Sequence, residues 1–165
     1  MRSAPLFLAA PLLAVGMVID ADPAQAACNP LELCSCTASA SGISFGSYDP
    51  LSISPVDSTG TVTVDCTFAA ALGGTYTISL STGGSGSYAT RWLSLAGSNL
   101  NYNLYTTNAR STVWGNGTGS QTVVGAPLSG LLSNSQIFTI YGRIPGAQNV
   151  PVGSYSDIIT VTVTY

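Results

Sequence analysis

Strict two-residue alternation of apolar and polar side chains, repeated in five separate stretches, constrains this chain more than any other feature. Val62, Val64, Cys66 and Phe68 fall on one side of an extended chain, with Thr63, Asp65 and Thr67 on the other. Tyr76, Ile78 and Leu80 alternate with Thr77, Ser79 and Ser81, and Leu100, Tyr102 and Leu104 with Asn101 and Asn103. Phe138, Ile140, Gly142 and Ile144 form a fourth row. Ile159, Val161, Val163 and Tyr165 form a fifth, opposed by Thr160, Thr162 and Thr164. Successive side chains of a strand point to opposite faces, so each stretch presents one apolar and one wet face. The β-branched and aromatic content of these rows suits strands. Turn formers lie between them: Gly73-Gly74, Thr82 to Gly86, Gly115 to Gly119, Pro145-Gly146 and Val152-Gly153. No amphipathic helical stretch of ordinary length follows residue 26. The pattern predicts an all-β fold of about seven or eight strands, one sandwich of two antiparallel sheets.

Composition removes several functions. Charged residues make up 7% of the chain, against about 25% in ordinary soluble domains. Four Arg, no Lys and no His stand beside seven carboxylates. That balance offers no footprint for a phosphate backbone, so no nucleic acid is expected as a partner. Without His, Ser-His-Asp or Cys-His nucleophile arrangements and His-ligated metal sites are not built. Past residue 26 the carboxylates are Glu32, Asp49, Asp57, Asp65 and Asp157. The aspartates have plain structural readings: Asp49 before Pro50 opens a turn, Asp57 lies in a loop, Asp65 points outward from a strand, and Asp157 caps the last strand or pairs with an Arg. No catalytic site, metal or cofactor is expected. Weak net charge gives weak self-repulsion, which permits close association between copies.

Residues 1–26 read as a secretory signal peptide. Arg2 is the lone charge ahead of an apolar run from Ala4 to Ile19, and Ala24-Gln25-Ala26 offers small residues for cleavage. The run is short and broken by Pro5 and Pro11, so a membrane anchor is not expected once the signal is removed. Residues 27–165 then form the exported domain. All four cysteines, Cys28, Cys34, Cys36 and Cys66, lie in it, which points to disulfides. Four cysteines allow three pairings. Cys36–Cys66 with Cys28–Cys34 is the one expected, and spacing alone leaves the others open.

The ordered motifs resemble the spore coat protein U domain family, which includes subunits of archaic chaperone–usher pili. The likeness runs through Cys36, Phe45-Gly46-Ser47-Tyr48-Asp49-Pro50, Gly60 and Val62-Thr63-Val64-Asp65-Cys66. It continues through Tyr76 to Ser81, Arg91, Leu100 to Tyr105, Trp114-Gly115, Tyr141 to Ile144, Gly146-Ala147-Gln148 and Gly153 to Asp157. The resemblance implies an incomplete immunoglobulin-like sandwich that a donor strand completes. It implies a periplasmic chaperone, an outer-membrane usher and other pilus subunits as partners, with transit through the periplasm to a surface fibre. It places a disulfide on Cys36 and Cys66. Ile159, Val161, Val163 and Tyr165 are then the candidate strand for the chaperone or the next subunit. A polymerising subunit also needs a donor segment ahead of its first core strand. Only residues 27–35 are available, with Leu31 and Leu33 alternating as a donor should.

Two other readings stand beside this one. The first is an adhesive or carbohydrate-binding module, motivated by Tyr88, Trp92, Tyr102, Tyr105, Trp114 and Tyr155, with Trp114 ahead of a glycine-rich turn as the expected surface contact. The second is a stand-alone coat-like protein.

Overall fold

The structure is a computed structural model and describes residues 15–16, 18–21, 34–68, 75–127 and 133–164. The strands are β1 (Val15–Gly16), β2 (Val18–Ala21), β3 (Cys34–Ala40), β4 (Ser44–Gly46), β5 (Val56–Phe68) and β6 (Thr75–Leu80). They continue with β7 (Arg91–Leu95), β8 (Ser98–Tyr105), β9 (Val124–Pro127), β10 (Ser133–Ile144) and β11 (Ile158–Thr164). Among the described residues the one helical element is a single 3₁₀ turn, Gly83–Ser85.

Two sheets form the sandwich. One has the order β3-β5-β10-β8-β7 and the other β2-β11-β6-β9, with a small β1-β4 pair beside them. The first sheet is built on the two longest strands, 13-residue β5 and 12-residue β10, antiparallel from Ser133↔Thr67 to Ile144↔Val56. The expected apolar rows supply the core: Val62, Val64, Cys66, Leu100, Leu104 and Ile140 from one sheet, and Tyr76, Ile78, Leu80, Ile159, Val161 and Val163 from the other, are all buried. Cys36 stands directly opposite Cys66 across β3 and β5, and the two are disulfide-bonded. Closing about 30 residues this way stabilises the fold by roughly 3–4 kcal/mol in the chain-entropy description.

Local chemistry explains two departures from simple alternation. Gly142 lies in a buried row because a Cβ there would stand 2.7 Å from the Phe45 ring; the missing side chain lets the segment at β4 pack across β10. The β7–β8 hairpin turns through Ala96 (φ 46°) and Gly97 (φ 89°). Positive φ at both central residues is the two-residue turn whose twist matches the flanking strands.

The two-antiparallel-sheet expectation holds with one exception. β2 pairs with β11 in parallel, and both β1 and β2 fall inside the segment read as a signal peptide. Eleven strands are described, against the seven or eight expected, and nine remain without β1 and β2.

Candidate functional site: the outer edge of β11

β11 forms because Ile159, Val161 and Val163 alternate with threonines, and its burial follows that alternation. On one side it is antiparallel to β6, with Val161↔Leu80, Thr162↔Ser79, Val163↔Ile78 and Thr164↔Thr77. On the other side the register is Ile158↔Val18, Ile159↔Ile19, Thr160↔Asp20 and Val161↔Ala21 with β2. β2 is therefore the outer strand on that side of the sheet, with β9 at the opposite edge. Removing residues 1–26 would leave β11 with β6 alone and a row of unpaired backbone groups over an apolar core. Such an edge is a template for another chain.

A buried polar cluster fixes where β11 begins. Ser156 bridges to Ser94 of β7, so the chain crosses from one sheet to the other just before Asp157. Asp157 is buried. Its carboxylate accepts hydrogen bonds from the Tyr102 hydroxyl (2.6 Å), the Gly84 N–H (2.9 Å) and the Ile158 N–H (2.9 Å). The capping role expected for Asp157 is present. The alternative, an ion pair with Arg, is not among its described contacts: three donors already meet the charge. Burial, and then the Asp157 carboxylate, push the Tyr102 phenol far above its ordinary range, so it stays protonated and donates.

Arg91 pins the sheets on the other side of β6. It is 0% exposed. Its Nε and one terminal nitrogen donate to the Ser81 carbonyl (3.0 and 2.8 Å), that nitrogen also to the Trp114 carbonyl (2.8 Å), and the other to Asn103 Oδ1 (2.7 Å). Desolvation lowers its pKa, and the neighbouring Tyr102, Tyr88 and Asp157 oppose that. The Tyr88 ring lies 5.2 Å from the guanidinium carbon. Asn103, expected on the wet face of β8, is buried instead because it accepts from Arg91 and donates to the Tyr88 carbonyl. Arg91 carries no signal in the sequence beyond its place in the resemblance, since a lone Arg among apolar residues usually reads as a surface charge.

Trp114 is corrected. The surface position expected for it does not exist: the side chain is 0% exposed. Its indole N–H donates to the Ile78 carbonyl at 2.9 Å, and its backbone N–H to the Leu104 carbonyl at 2.9 Å. The glycine-rich turn lies outside, and the ring before it plugs the space between β6 and β8. Tyr102 and Tyr155 are also buried. The large exposed apolar side chains include Leu51 and Ile53 on the loop before β5 and Val152 on the loop before β11. The loop before β5 is tied to the segment after β10 by the Ala147 N–H on the Ser52 carbonyl and the Tyr48 hydroxyl on the Pro145 carbonyl. Single aliphatics in turns carry no pattern, so the sequence does not single them out.

Cys28, Leu31, Leu33 and Tyr165 lie outside the described residues, and with them the Cys28–Cys34 pairing. Cys34 and Ser35 are paired to Phe68 and Thr67 in β3, so two of the residues 27–35 expected ahead of the first core strand already belong to that strand. The other described carboxylates hold local structure. Asp49 accepts from the Leu51 N–H and Asp65 from the Ser135 hydroxyl. Asp57 lies in β5 rather than a loop and pairs with Arg143 and Arg110.

The fold is a two-sheet, disulfide-stapled sandwich in which β11 takes β2 as a parallel partner on its outer side. The Spore Coat Protein U domain model matches residues 24–162, and the chain belongs to that family. Protein U of Myxococcus xanthus is 34% identical over 147 residues, covering 80% of this chain and 77% of that one. A further similarity, with TM-score 0.48 and 18% identity, is to a chain in the chaperone–tip adhesion subunit pre-assembly complex (CsuC–CsuE) of the archaic chaperone–usher Csu pili of Acinetobacter baumannii. It covers 81% of this chain and 40% of that one.

Proposed function

We propose that the exported domain, residues 27–165, is a structural subunit of a surface fibre and is completed by a strand from a partner. The single observation that carries this reading is the position of β2. The strand that covers the outer edge of β11 lies in the segment read as an export signal. After cleavage that edge is open, and Ile159, Val161 and Val163 supply the register for an incoming strand. A periplasmic chaperone fills it in transit, an outer-membrane usher receives the complex, and another subunit replaces the chaperone strand. The role is assembly, not catalysis.

The donor end is weak. At about 3.3 Å per residue, 27–33 reaches only about 23 Å, and it contains Pro30. Leu31 and Leu33 remain its candidate donor side chains. This favours a subunit that accepts a strand and donates poorly, at one end of a fibre, over a repeating shaft subunit. The test is expression in the periplasm with and without the cognate chaperone. Rescue of solubility by the chaperone supports the reading, and equal, monomeric yields in both strains refute it.

A second reading, an adhesive module, is favoured by one observation. Leu51 and Ile53 are 91% and 87% exposed on a loop fastened to its neighbour. Leu51→Ser with Ile53→Ser would lower retention on apolar surfaces without changing assembly; unchanged retention removes this reading.

A further inference from the structure

The segment at β1 and β2 does more than mark an edge. β1 pairs with β4 beside the first sheet, and β2 pairs with β11 in the second. β2 also lies next to β3. β2 therefore extends the second sheet and meets β3 of the first, while β1 pairs with β4, which packs against β5. Their sequence suits an edge strand: Val15, Val18 and Ile19 are β-branched, and Pro23 follows soon after Ala21, where the strand ends. Ile19 and Ala21 stand in register with Ile159 and Val161, which are buried.

The topology makes the arrangement reachable in cis. β2 runs in the same direction as β11, toward the Thr164 end. Thr164 pairs with Thr77 near the start of β6, and residues 69–74 join β5 to β6, so Phe68 lies at that same end. Cys34 pairs with Phe68. Ala21 stands level with Val161, three residues short of Thr164, and residues 22–33, at about 3.3 Å each, are long enough to reach Cys34 from there. A strand tethered this closely competes at a high effective concentration, typically millimolar for short connections.

We propose that in the unprocessed chain β1 and β2 plug the β11 edge in cis and exclude a strand from any other molecule, so that removal of the N-terminal segment is the switch that makes the domain receptive. This rests on the reading of an open edge in the processed chain and adds a control step to it.

The probe is a fluorescent synthetic peptide of residues 15–21. It is titrated into three oxidised proteins: the full chain, the full chain carrying Ile19→Pro with Asp20→Pro, and residues 27–165. Adjacent strand residues direct their N–H groups to opposite sides, so the double proline removes a ladder donor whichever faces β11. The processed chain and the double variant should take up the peptide at least tenfold more tightly than the full chain. The melting temperature of the processed chain should rise with peptide concentration. Equal uptake by the full and processed chains overturns the plug while leaving the open edge standing. A processed chain that melts as high as the full chain and ignores the peptide overturns both. Should the processed chain aggregate, amide exchange in the full chain decides. The Ile158–Val161 amides that face β2 should be protected and should lose protection in the double variant; unchanged protection overturns the plug.

Discussion

Truncating Arg91 to Ala tests the buried cluster that positions β11. The guanidinium makes four donor contacts to three acceptors: the Ser81 carbonyl twice, the Trp114 carbonyl and Asn103 Oδ1. Ala leaves those acceptors facing a cavity. A buried acceptor without a donor costs about 1–3 kcal/mol, and Ser81 is near enough to water to recover part of its share. The Trp114 carbonyl and Asn103 Oδ1 are the more deeply buried acceptors, so about 3–5 kcal/mol is the expected loss over the three. Arg91→Lys keeps the charge but not the planar fork that serves three acceptors at once, so about 2–3 kcal/mol is expected. Against a total stability of about 5–15 kcal/mol, either loss is visible in urea unfolding of the oxidised full chain. Tryptophan fluorescence and far-ultraviolet circular dichroism should report the same midpoint. A loss below about 1 kcal/mol for Ala, or wild-type stability for Lys, would refute the assignment of Arg91 as the pin.

The Tyr102 phenol is pushed up by burial and by Asp157. Its contribution is therefore present below the ordinary tyrosine value of about 10 and lost as pH rises above it, where only the unfolded chain ionises. Tyr102→Phe should cost about 1.5–3 kcal/mol at neutral pH and flatten the alkaline decline in a pH series of urea midpoints. Arg143, desolvation notwithstanding, holds the Asp57 carboxyl below its usual value, with Arg110 assisting. That stability is present above about pH 3.9 and fades as pH falls toward the lower folded value. The pair is partly exposed, so Asp57→Asn should cost under about 1 kcal/mol and reduce the acid slope. The Tyr76 hydroxyl is buried with no hydrogen-bond partner among the described residues. Tyr76→Phe should be neutral or stabilising by up to about 1 kcal/mol, read by thermal melting.

Much of the fold is legible in the sequence because strand alternation is a local signal. The rows at 62–66, 76–80, 100–104, 138–144 and 159–163 all fall in strands with the expected faces toward the core, Asn103 apart. What escapes depends on contacts distant in sequence. Asn103 and Arg91 are buried because each satisfies the other, and neither residue alone announces that. The composition after Trp114 suggests an exposed turn, whereas the position of the ring is set by Ile78 and Leu104. Ala96-Gly97 is a weaker hairpin signal than Asn-Gly, so the β7–β8 turn does not stand out. The pairing of β2 with β11 is hidden for a different reason: an apolar run with a cleavage motif reads as an address, and the same residues also fit a sheet edge.

Amide hydrogen exchange along β11 in the isolated segment 27–165 tests the open edge most directly. Amides of Ile158–Thr164 bonded to β6 should be protected, while the alternate amides exchange nearly as fast as in an unstructured peptide until a strand is supplied. Uniform protection of both sets in a monomer with nothing added would contradict it.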